Sequence, residues 1–104
     1  MSNHVFDLEK WARLSLFEQM GNIGSEVGRA MNAMQRGDIT ALQGAYYRGL
    51  DLIDATAPNL STISRRRELL RARELFSESV ELGKVDKSLD TYFMQYAIAA
   101  RASR

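Results

Sequence analysis

The sequence predicts an all-α fold, a single antiparallel up-down four-helix bundle that takes residues 1–104 as one domain. Three observations carry this expectation. Apolar residues recur at spacings of three and four along most of the chain, the repeat of one helix face. No segment alternates apolar and polar residues with the period of two that a half-buried strand requires. Gly37-Asp38, Pro58 and the pair Gly83 and Asp86 cut the periodic stretches into four, and the short connections favour antiparallel neighbours.

The first helix is expected over about residues 7–36, with Leu16, Met20, Ile23, Val27, Ala30 and Met34 on its buried stripe. Gly37 ends it, because glycine enters the left-handed conformation of a helix C-terminus at no steric cost. Asp38 then suits the N-cap of a second helix over about 39–57, whose inward stripe is Ile39, Leu42, Tyr46, Gly49 and Ile53. Pro58 closes that helix, since proline lacks the donor needed to continue it. A third helix over about 62–82 turns Leu69, Ala72, Phe76 and Val80 inward and stops at Gly83. Asp86 caps the fourth, about 87–102, which aligns Leu89, Phe93, Tyr96 and Ala100.

Composition bounds the function classes. A chain of 104 residues that is 45% hydrophobic and 26% charged fits one globular core. The absence of cysteine excludes disulfides and thiolate metal sites and suits a reducing compartment. With 14 basic and 13 acidic residues, overall charge recruits neither nucleic acid nor an anionic membrane, so any such binding must be local. No apolar run reaches the roughly 20 residues of a membrane span, and "MSNHVFDLEK" lacks the basic-then-apolar layout of a secretion signal. The expected location is the cytoplasm, with no membrane partner.

Gly21, Gly24 and Gly28 interrupt the first helix at a cost of roughly 1 kcal/mol each relative to alanine. On a helical wheel they fall within about 60° of one another, on a line with Leu14, Phe17 and Met31. The expectation is close helix packing at all three, with Gly28 opposite Tyr46 to Gly49. A glycine-lined dimer seam is the alternative. A phosphate loop is disfavoured, because "GNIGSEVG" follows no strand and lacks the Gly-Lys-Ser/Thr ending.

"RRRELLRAR", residues 65–73, holds five arginines in nine positions. Arg65, Arg66 and Arg67 fall in the first turn of the third helix, where the positive end of the macrodipole disfavours cations. Two readings stand. Glu68, Glu74, Glu78 and Glu81 on the same helix, with Asp51 and Asp54 on the second, could neutralise the cluster. Alternatively Arg65, Arg66, Arg67 and Arg73 contact the phosphates of RNA or another polyanion, positioning a backbone without reading bases.

An enzyme would have to use the carboxylates. Asp51 with Asp54, and Glu78 with Glu81, have the spacing that places two acids on one helix surface, where they could hold hydrated magnesium for nucleotide hydrolysis. His4 is the single histidine, which leaves a zinc site or a histidine base without parts. No catalytic residue, cofactor site or metal ligand is therefore assigned.

"FDLEKWA", residues 6–12, resembles the opening of the four-helix bundle proteins encoded in ribosomal-RNA intervening sequences, which are similar to the accessory variability determinant proteins of diversity-generating retroelements. Asp7, Leu8, Glu9 and Trp11 carry the match. The resemblance implies an oligomeric, non-enzymatic bundle that, in the accessory proteins, is a pentamer binding nucleic acid and a reverse transcriptase. Read alone, the same residues are a helix start with Trp11 as a core anchor.

Met94 and Ile98 complete the reading. They project about 150° or more from the stripe of the fourth helix and lie one turn apart, so a second chain or the N-terminal Val5 and Phe6 should cover them. The expected function is a non-catalytic assembly or adaptor protein that self-associates through this face. An RNA-binding accessory protein using the arginine cluster, partnered by RNA or a nucleoprotein, is the second possibility, and a magnesium-dependent nucleotide hydrolase the third.

Overall fold

The structure, a computed structural model, describes residues 7–102, without the side chains of residues 97 and 100–102. His4, Val5, Phe6 and the inward role expected of Ala100 lie outside the described residues. Five helices pack together: α1 (Leu8–Ala12), α2 (Leu16–Gln35), α3 (Ile39–Thr56), α4 (Ile63–Leu82) and α5 (Lys87–Ala102). A single 3-10 turn, Ala57–Asn59, follows α3 and contains Pro58.

The expected first helix, 7–36, is in fact two. Asp7 caps α1 by accepting the Lys10 amide at 3.1 Å, and the helix ends after one turn. Ser15 then starts α2 with a capping box: its hydroxyl accepts the Glu18 amide and the Glu18 carboxylate accepts the Ser15 amide, each at 3.1 Å. That reciprocal pair satisfies two amide donors that a fresh helix start leaves open, so the chain gains a cap where apolar periodicity alone would run on. The break turns Trp11 into the core. Its indole N–H donates to the Thr56 hydroxyl at 2.9 Å, and Gln19 donates to the Trp11 carbonyl at 2.9 Å.

The other boundaries follow the punctuation. Gly37 takes φ +71°, with Gly37 and Asp38 amides bonded to the carbonyls of Met34 and Ala33 at 3.2 and 2.9 Å, the paired bonds of a Schellman motif. Asp38 immediately caps α3 through the Ala41 amide at 3.0 Å. Gly83, at φ +66°, repeats the arrangement after α4, where Gly83 and Lys84 amides reach Val80 and Ser79 carbonyls.

The core is built from Met20, Ile23, Val27 and Ala30 of α2, Ala45 and Ile53 of α3, Leu69, Ala72 and Phe76 of α4, and Leu89 and Phe93 of α5, with Trp11 and Leu60 at its edge. The close helix contacts are those of α2 with α3 and with α5. Small residues on α2 and α3 permit this approach, whereas α4 stands off on the larger Leu69, Leu75 and Phe76. Ile39 departs from the expected inward stripe: it is 68% exposed, because it opens α3 at the tip of the Gly37-Asp38 turn, beyond the reach of α2. Leu16, Met34, Leu42, Tyr46 and Val80 are half-buried rather than enclosed.

Candidate functional site

Of the three aligned glycines, one makes the expected close contact. A Cβ at Gly24 would stand 2.7 Å from the Phe93 Cβ of α5, so glycine is required for that approach. A Cβ at Gly21 or Gly28 would meet nothing within 4 Å, which corrects the expectation of close packing at those two positions within the described chain. Gly28 also does not face Gly49. The neighbours of Gly49 are Phe76, whose Cε2 would lie 2.9 Å from an added Cβ, and the Cβ of Glu26 at 3.6 Å. The contact of residue 26 with residue 49 keeps the register of the hairpin count, and Gly28, two residues further along α2, has no atom of α3 within 4 Å of an added Cβ.

The arginine run divides into paired and unpaired members. Arg73 makes a two-pronged contact with Asp54, Nε to Oδ1 at 2.8 Å and Nη2 to Oδ2 at 3.1 Å. That hydrogen bond is the leading cause that raises the Arg73 pKa, and it commits Nε and Nη2 of an expected phosphate contact to Asp54. Arg71 pairs with Glu74 at 3.0 Å. Arg66 donates to the Leu60 carbonyl at 3.3 Å. Arg65, Arg66 and Arg67 are exposed and form no ion pair with a described carboxylate, and the first turn of α4 holds no acid. Three guanidiniums therefore share the N-terminus of one helix, against the macrodipole.

Arg67 and Arg71 also edge an open groove of about 520 Å³ between α4 and α5, floored by Ala72, Leu75, Leu89 and Tyr92. The standoff of α4 opens it. Burial pushes the pKa of Tyr92 above its ordinary value. Its ring packs edge-on against Phe93 at 4.9 Å and Tyr96 at 5.6 Å.

On the outer side of α5, Met94 and Ile98 are 50% and 58% exposed, whereas Leu89 and Phe93 on the opposite side are buried. The helix thus presents two apolar side chains, one turn apart, away from the core.

The acidic pairs stay apart from any centre. Asp51, Asp54, Glu78 and Glu81 are exposed, and Asp54 is committed to Arg73. Among the described residues, no three histidine, cysteine or acidic side chains converge as a metal site would require. Nor is any described helix long and apolar enough to cross a membrane.

Sequence reading missed one ionic centre altogether. Glu26 is 8% exposed, and its carboxylate accepts from Arg29 Nη1 at 2.5 Å and Arg48 Nε at 3.0 Å. A carboxylate enclosed to this degree requires charged or hydrogen-bonding partners. Arg29 was legible as an i, i+3 partner. Arg48 sits on α3, 22 residues away, and no local pattern points to it. Comparison with protein-family models, with curated proteins and with solved structures finds no match to the chain.

Proposed function

We propose that the protein is a non-catalytic, cytoplasmic assembly module: an antiparallel up-down four-helix bundle, with α1 as an N-terminal cap, that self-associates through the outer face of α5. The contacts between helices support the antiparallel arrangement, because their residue numbers run in opposite senses. Trp11 meets Thr56 while Glu26 meets Arg48, Tyr46 meets Ser77 while Asp54 meets Arg73, and Phe17 meets Tyr96 while Gly24 meets Phe93. The observation that carries self-association is the exposure of Met94 and Ile98 opposite a buried face of the same helix. Covering each half-exposed side chain contributes about 1 kcal/mol, so the two form the apolar centre of an interface and not its whole extent. The resemblance of Asp7, Leu8, Glu9 and Trp11 to the intervening-sequence bundle proteins leads to the same oligomeric reading. Changing Met94 and Ile98 together to Glu should turn an oligomer into a folded monomer in sedimentation velocity. A double variant of unchanged mass would reject α5 as the interface.

A second reading rests on Arg65, Arg66 and Arg67. Three exposed cations on an acid-free helix N-terminus favour an RNA backbone or a nucleoprotein as partner, at the end of the bundle where α4 begins. The magnesium-dependent hydrolase has no comparable support.

A further inference from the structure

The Glu26 centre lies beside a hollow of about 230 Å³ between α2 and α3, since its partners Arg29 and Arg48 both line it. Its polar lining consists of Arg29, Asn32, Arg36, Thr40 and Arg48, with Gly44 in the floor. We propose that this hollow binds the phosphoryl group of a small phosphorylated ligand, with Arg29, Arg36 and Arg48 as its charged walls.

The charge present exceeds what Glu26 needs. Arg29 spends Nη1 and Arg48 spends Nε on the buried carboxylate, which leaves the remaining guanidinium donors of each without a bond to a described residue. Arg36 adds a third cation whose nearest acid, Asp38, is 3.6 Å away, beyond hydrogen-bond range. Three guanidiniums thus face two carboxylates, Glu26 beneath them and Asp38 at the edge. Glu26 acts as a positioning residue: by anchoring two flexible side chains from below, it removes part of the ordering cost that an anion would otherwise bear. Gly44 contributes room. A Cβ there would stand 3.1 Å from Arg48 Nη1, so the absent side chain lets the guanidinium fold along α3 toward Glu26. Asn32 and Thr40 complete the lining with an amide and a hydroxyl, both able to donate to a phosphoryl oxygen. Arginine forks match such oxygens, and the small volume admits a phosphoryl group or two in preference to a length of nucleic-acid backbone.

Titration of the isotope-labelled protein with inorganic pyrophosphate, followed by nuclear magnetic resonance, tests the assignment. Saturable shifts are expected at the Asn32 side-chain amide, the Arg36 Nε–H and the Thr40 backbone amide, with a Kd on the order of 1 mM or tighter. R36Q touches neither Glu26 nor the core, and should weaken binding about tenfold with an unchanged circular dichroism spectrum. R71Q removes the same charge from α4, outside the lining of the hollow, and should change the Kd by less than about twofold, because salt weakens the reach of an exposed charge. A nucleoside diphosphate run in parallel separates the sources of the phosphate: equal affinity assigns the site to the phosphoryl group alone, and tighter binding extends it to the nucleotide. Equal weakening by R36Q and R71Q, shifts confined to Arg65–Arg67, or binding of single-stranded RNA in the hollow without pyrophosphate binding would each overturn the proposal.

Discussion

Gly24 and Gly28 lie on one line of α2, yet alanine should act on them with opposite sign. At Gly24 the new Cβ would sit 2.7 Å from the Phe93 Cβ, against the 3.4 Å at which ordinary contact begins. The Phe93 Cβ is one bond from its backbone and the residue is 3% exposed, so the clash cannot be relieved by a rotamer change. Helix α5 must retreat by about 0.7 Å, which forfeits dispersion contacts along the α2–α5 seam. Overpacking of this kind costs about 1–3 kcal/mol, and alanine returns about 1 kcal/mol of helix propensity and chain entropy. The net for Gly24→Ala is a destabilisation of about 0–2 kcal/mol. At Gly28 nothing lies within 4 Å, so the propensity gain stands alone and Gly28→Ala should stabilise by up to about 1 kcal/mol. Urea melts followed by far-ultraviolet circular dichroism read both, and the difference of about 1–3 kcal/mol should separate the midpoints by on the order of 1 M. Equal stabilisation by the two alanines would refute the close approach of α2 and α5 at Gly24.

Two other substitutions address the core and the arginine end. Trp11→Phe keeps most of the buried ring but removes the donor to Thr56, a residue only 1% exposed, and should cost about 1–2 kcal/mol in the same melts; an unchanged midpoint would mean that the Trp11–Thr56 hydrogen bond contributes nothing to the fold. Changing Arg66 and Arg67 to Gln should weaken RNA binding and flatten its salt dependence by about two in log–log slope, with the fold retained. An unmodified protein that shifts no RNA in a mobility assay at low salt would remove RNA as the partner.

The helix ends after residue 35, near 56, after 82 and before 87 were legible because each rests on a local backbone requirement: left-handed glycines, a proline and two aspartate caps. Ser15 was also legible in "SLFE", but its capping box competes with an apolar repeat that runs straight through it, and the repeat alone cannot register a break. Gly24 and Gly28 could not be told apart, because a wheel shows which residues share a line and not where a partner helix crosses it. Glu26 is the clearest case of a tertiary decision. Its burial depends on Gly49 admitting α3 and on Arg48 arriving from that helix, and neither is a neighbour in sequence. At the arginine run, Asp54 was already a candidate partner. Only the register of α3 against α4 assigns it to Arg73 and leaves Arg65, Arg66 and Arg67 without an ion pair to a described carboxylate.

Self-association is the claim on which the proposed function stands, and sedimentation equilibrium of the unmodified protein tests it most directly. Over a range of loading concentrations into the high micromolar, the weight-average mass should exceed the 11.8 kDa of one chain and rise with concentration toward an integral multiple of it. A mass that stays at one chain throughout would contradict an interface on α5 and with it the assembly function.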